Sequence, residues 1–67
     1  MNTFGSKLKF LREEKGLMQT QLAKLLYIDK STISKYENNN IQPSAHMVII
    51  MAKFFNVLTD YLLGLEE

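Results

Sequence analysis

Residues 19–38 read QTQLAKLLYIDKSTISKYEN, and this stretch decides the fold. Leu22, Leu26, Ile28, Ile33 and Tyr36 fall at spacings that bury one side of each of two short helices. The spacing predicts helices over Gln19–Leu26 and Lys30–Glu37. Tyr27 and Ile28 form a tight connection, and Asp29 is suited to cap the second helix. A link this short forces a sharp bend, so the two helices share one apolar core. Ala23 keeps a small side chain where two helix axes approach closely. Lys30, Ser31, Thr32, Ser34 and Lys35 are left outward. Three hydroxyls on one outward helical face are poor helix formers with no packing purpose, which points to contact with something polar.

The flanking sequence is helical by the same criterion. Phe4, Leu8 and Leu11 line one face of a helix predicted over 6–15, and Gly16 suits the left-handed stop just past its end. Asn38, Asn39 and Asn40 tolerate the left-handed conformation and end the helix before them. Ser44, after Pro43, is expected to cap a fourth helix ending near Phe55, with Asn56 as its stop. A short fifth helix over 59–63 ends at Gly64. No segment alternates strictly, so the expectation is an all-α chain, one compact five-helix domain over 1–67.

Composition narrows the alternatives. The 67 residues are 46% hydrophobic and contain no cysteine, which excludes a charge-dominated disordered chain, a disulfide framework and a thiolate zinc site. A core this small supplies only roughly 3–5 kcal/mol by itself. The net charge of +1 conceals a division. Residues 1–43 hold seven basic and four acidic side chains, whereas 44–67 hold Lys53 against Asp60, Glu66 and Glu67. The longest apolar run, 47–52, is far short of the about 20 residues of a membrane span. No signal-peptide layout opens the chain. A cytoplasmic protein with no membrane partner is expected.

The ordered set LxxLRxxxGLxQ (Leu8, Leu11, Arg12, Gly16, Leu17, Gln19), then LA, STIS-Y-EN, Pro-Ser and VxxDYLLG at 57–64 resembles the lambda-repressor-like (Cro/repressor type) helix-turn-helix family. The resemblance runs from about Phe4 to Gly64. It implies a recognition helix at Lys30–Glu37, with Lys30, Ser31 and Lys35 reading base edges of double-stranded DNA. Short hydroxyls and lysines suit that task, since both donate to base edges and phosphates. The resemblance further implies backbone or secondary contacts from Gln19, Thr32, Ser34 and Asn38, and a largely buried ion pair between Arg12 and Glu37. The implied function is a transcriptional regulator of prokaryotic or phage origin acting at the nucleoid, a repressor on an inverted-repeat operator. Three positions depart from the family. Tyr27 stands where glycine is usual in the turn, and Met18 and Leu58 stand where a hydroxyl usually caps a helix.

An enzyme is not expected. Glu13 and Glu14 are adjacent and point to different sides of a helix. His46 has no Cys, Asp or Glu at ligand spacing, so neither metal nor cofactor is predicted. The fourth helix is apolar almost all round, with Ala45, Val48, Ile49, Ala52 and Phe55 on one stripe and Met47, Ile50, Met51 and Phe54 on the other. Such a helix is covered on both sides. A local core with Phe54 or Met51 tucked under the fifth helix is one solution. A homodimer interface of Met47, Ile50, Met51, Phe54 and Leu58 is the other, and it would set two recognition helices roughly 34–36 Å apart. Two further readings stay open, an antitoxin-like module whose helix-4/5 face binds a partner protein, and a fragment of a longer repressor.

Overall fold

A computed structural model describes residues 3–65. Five helices follow in order: α1 Phe4–Glu14, α2 Gln19–Leu26, α3 Lys30–Glu37, α4 Ala45–Phe55 and α5 Thr59–Leu63. No strand occurs among the described residues. The core comprises Leu8 and Leu11 of α1, Leu22, Ala23 and Leu26 of α2, Ile33 and Tyr36 of α3, Val48, Met51, Ala52 and Phe55 of α4, and Leu62 of α5. Ala23 is 3% exposed, as a close approach of two helices requires.

Each boundary has a local cause. α2, α4 and α5 end on residues in the left-handed region, Tyr27 (φ 60°), Asn56 (φ 56°) and Gly64 (φ 74°). Their next amides reach back to Ala23 O, Ala52 O and Asp60 O, which satisfies carbonyls of the last turn. Ser44 Oγ accepts the Met47 N–H at 3.1 Å and starts α4. Met18 and Leu58 offer no side-chain cap. At Met18 only the reciprocal half of a capping box is clear, with Gln21 Oε1 accepting the Met18 N–H at 2.8 Å.

Three expectations are corrected. α1 begins two residues earlier than its predicted start, because Thr3 and Ser6 form a capping box around its first turn. Asp29 occupies the N-cap of α3 but makes no side-chain cap bond; its carbonyl alone receives the Thr32 and Ile33 amides. The inner stripe of α4 is rotated from the predicted one. Val48, Met51, Ala52 and Phe55 lie at i, i+3, i+4 and i+7 and are buried, whereas Ala45 is exposed and Ile49 is 45% exposed. Met51, at 0% exposure, is therefore a core residue and cannot form a dimer contact. Phe54 is half-buried, with its ring edge-on to Phe55 at 4.9 Å and Lys15 Nζ 5.7 Å from its centroid.

Tyr27 is 94% exposed, so its side chain has no packing to offset the cost of the left-handed backbone. Tyr27→Gly is expected to raise stability by about 1 kcal/mol, the penalty that Cβ carries in that region. A urea titration checks this. An unchanged or lower midpoint would mean that the tyrosine makes a compensating contact.

Candidate nucleic-acid interface

The outward face of α3 is built by exclusion. Ile33, Tyr36 and Glu37 turn inward and are buried. At about 100° per residue, Ser31, Ser34, Lys35 and Asn38 then share the opposite arc, with Lys30 at its border beside Glu37. Lys30, Ser31, Lys35 and Asn38 are exposed and Ser34 is half-buried, with Asn38 Nδ2 3.4 Å from Ser34 Oγ. Thr32 is also half-buried and lies at the opposite border of that arc, between Lys35 and buried Tyr36. The arc carries no carboxylate. It can therefore donate to acceptors along one side of an eight-residue helix.

What holds this helix is as informative as what it presents. Arg12, in the second half of α1, donates from Nε to Glu37 Oε2 at 2.6 Å and from Nη2 to Glu37 Oε1 at 3.1 Å. Its Nη1 donates to Leu17 O at 2.7 Å. Gln19 Nε2 adds a third bond to Glu37, reaching Oε1 at 3.0 Å. Arg12 is 8% and Glu37 9% exposed, so the pair is nearly dry and fully hydrogen-bonded. The guanidinium is held above its ordinary pKa first by its hydrogen bond to Glu37, against desolvation, with the charges of Glu37 and Glu13 adding. It stays cationic at any working pH.

A second attachment joins the ends of α1 and α3. Phe4 packs edge-on against Tyr36 at 6.1 Å, and Asn39 Oδ1 accepts the Gly5 N–H at 3.0 Å. A Cβ on Gly5 would lie 2.6 Å from Tyr36 O and closer still to Glu37 O. Only glycine allows this approach.

These attachments frame an open groove whose lining includes Lys9, Arg12, Gln19, Glu37, Asn38 and Asn39. Gln19 and Asn38 thus come together at its edge, beside Lys9, while Lys30, Ser31 and Lys35 occupy the adjacent face of α3. Gln19 is partly engaged with Glu37, and its amide nitrogen retains a second hydrogen for another acceptor. Sequence reasoning passed over Lys9, Gly5 and Asn39. Lys9 carries no local signal. Gly5 and Asn39 lie 34 residues apart, so no local pattern relates them, and Asn39 reads in sequence as one member of an asparagine loop. Among the described residues no group of His, Cys, Asp or Glu is placed to hold a metal ion, and no helix is long and apolar enough to cross a membrane.

The sequence profile of the helix-turn-helix domain matches residues 5–67. The chain belongs to the helix-turn-helix domain family. Its fold is of the lambda-repressor-like type: the P22 c2 repressor, crystallised with a synthetic operator, superposes with a TM-score of 0.89 at 21% identity, covering 98% of this chain and all of that one. The restriction-modification controller protein C.AhdI from Aeromonas hydrophila gives 0.79 at 30% identity, covering 90% and 91%. Among curated proteins, the helix-turn-helix domain is 42% identical over 64 residues to the HTH-type transcriptional activator BcrR of Enterococcus faecalis. It is 34% identical over 65 residues to the HTH-type transcriptional regulator ImmR of Bacillus subtilis. These alignments cover 96% and 97% of this chain but only 31% and 51% of the two relatives, so it spans about a third and about half of their lengths.

Proposed function

We propose that the chain is a sequence-specific duplex-DNA-binding domain of a transcriptional regulator, with α3 lying in the major groove. The observation that carries this reading is the combination of a carboxylate-free donor arc on α3 with a buried network that fixes the helix supporting it. Lys30, Ser31 and Lys35 read base edges. Thr32 and Ser34 make secondary contacts, and Gln19 and Asn38 grip the sugar-phosphate backbone where the groove opens. Backbone contacts set register, and base contacts set sequence preference. The operator-bound P22 repressor and the regulator relatives lend support from their own described roles. Repression by occluding a promoter, in the cytoplasm at the nucleoid, is the simplest mode.

The domain acts as a homodimer on an inverted repeat, through the α4–α5 side. Of the residues expected there, Leu58 is 67% exposed and Met47, Ile50 and Phe54 are half-buried, while Met51 is withdrawn into the core. Ile49 and Leu63, 45% and 53% exposed, flank a separate apolar groove with Pro43, Ala45 and Val48 on the other flank of α4. Sedimentation showing a monomer at tens of micromolar, with and without DNA, would remove the dimer.

Selection of bound sites from a random duplex library tests the reading, with half-site spacing reporting the dimer geometry. Lys35→Ala and Ser31→Ala are each expected to weaken binding to the selected site by about 1–3 kcal/mol while leaving thermal unfolding almost unchanged. If both variants bind that site like the wild type, α3 is not the reading element.

A further inference from the structure

We propose that Asn39 is a positioning residue for DNA recognition, whose carboxamide sets the angle of α3 by completing the cap of α1. The proposal rests on the DNA-binding reading above. α1 starts at Phe4, so the Gly5 amide has no carbonyl one turn back in its own helix to bond. Thr3 Oγ1 takes the Ser6 N–H at 3.1 Å. The Gly5 N–H goes to Asn39 Oδ1, 34 residues away, and Asn39 Nδ2 donates in return to Thr3 Oγ1 at 3.1 Å.

The same residue ends α3. Asn39 sits at φ 60°, its N–H donates to Tyr36 O at 3.1 Å, and the Asn40 N–H donates to Lys35 O at 2.8 Å. One side chain and its backbone therefore join the start of α1 to the end of α3. The missing Cβ of Gly5 lets the two ends touch, bringing the positive end of one helix dipole against the carbonyl end of the other.

Two attachments fix a direction where one leaves a pivot. Arg12 holds Glu37 from a point about 10 Å along α1 from Gly5, at about 1.5 Å per residue. Ile33 and Tyr36 seat α3 on the core, and the ion pair alone would leave its C-terminal end freer to tilt about Glu37. Lys30 lies about 10 Å from Glu37 along α3, so a rotation of about 10° displaces its backbone by about 2 Å. Recognition geometry tolerates only about 0.5 Å. Asn39 removes that freedom without itself lying on the donor arc.

Asn39→Gly isolates the side chain, because glycine adopts φ 60° freely and the end of α3 is kept. The test compares affinity for the selected operator with affinity for a scrambled duplex, across a salt series, at a temperature where each variant is folded by circular dichroism. The expected result is about a tenfold fall in the operator-to-scrambled ratio, comparable with one mismatched base pair. The salt slope should be unchanged, and the Gly5 amide should exchange faster. Asn39→Asp keeps the acceptor for Gly5 and should retain the ratio, even though its charge weakens binding to both duplexes. An unchanged ratio in Asn39→Gly overturns the proposal, whatever happens to stability. Equal loss on both duplexes with a shallower salt slope also overturns it, since Asn39 would then be a phosphate contact. If the wild type selects no duplex, the DNA-binding reading has failed, and that failure is visible before any variant is made.

Discussion

Glu37→Ala is expected to cost roughly 3–5 kcal/mol of folding stability, the usual penalty for stranding one partner of a buried ion pair. Glu37 accepts three hydrogen bonds, two from Arg12 and one from Gln19. Its removal leaves the Arg12 guanidinium, on an 8%-exposed residue, with only Leu17 O as an acceptor. A chain of this length holds only roughly 3–10 kcal/mol in total, so the variant should be largely unfolded or close to it. The pair need not be a large net source of stability. Charges lose hydration on burial, and a well-packed apolar replacement of both partners is often neutral. The double variant Arg12→Met, Glu37→Leu should therefore be much more stable than Glu37→Ala, while losing the geometry that holds α3. Urea titrations of the three proteins check both statements. A loss below about 1 kcal/mol for Glu37→Ala would show that water solvates the guanidinium after all, as it does in exposed pairs.

Gly5→Ala should also be strongly destabilising, by about 3 kcal/mol, at the upper end for an overpacked site. The sign is opposite to helix propensity, which favours alanine over glycine in a helix by roughly 0.5–1 kcal/mol. Propensity loses here because the atoms a methyl would meet are the main-chain oxygens of Tyr36 and Glu37. Backbone at the end of a helix cannot rotate away as a side chain would. α1 and α3 must separate, which stretches the Gly5–Asn39 bond and the edge-on contact of Phe4 with Tyr36. Chemical denaturation measures the cost. A midpoint at or above wild type would mean that the two helices are not held this closely in solution. A variant that folds with only a modest loss should still show amide shift changes concentrated at Tyr36–Asn40, the far side of the contact.

The helix-turn-helix itself was legible because its signals are local. The bounds Gln19–Leu26 and Lys30–Glu37 follow from apolar spacing and a short connection, and the donor arc follows from the residues the core leaves over. The stops at Gly16, Asn56 and Gly64 follow from residues that tolerate the left-handed backbone. The Arg12–Glu37 pair was reached through family resemblance, and no spacing of the two residues implies it. The start of α1 lies two residues before the predicted one because its capping box pairs Thr3 with Ser6, not with the Glu or Gln that marks such a box in sequence. On α4, an apolar residue stands at nearly every position, so periodicity could not choose between Ile49 and Met51 for the core.

The sequence by itself determined the order of the helices, the helix-turn-helix and the polar face of α3, since each depends on residues within a few positions of one another. The division of charge read at the outset belongs here too. Only the tertiary structure decided how α3 is held and which side of α4 is free. Gly5 meets Asn39 across 34 residues, and Gln19 turns to Glu37 across 18. Hydrogen-bond partners so distant are selected by the packing of whole helices, which brings together groups that no local spacing relates.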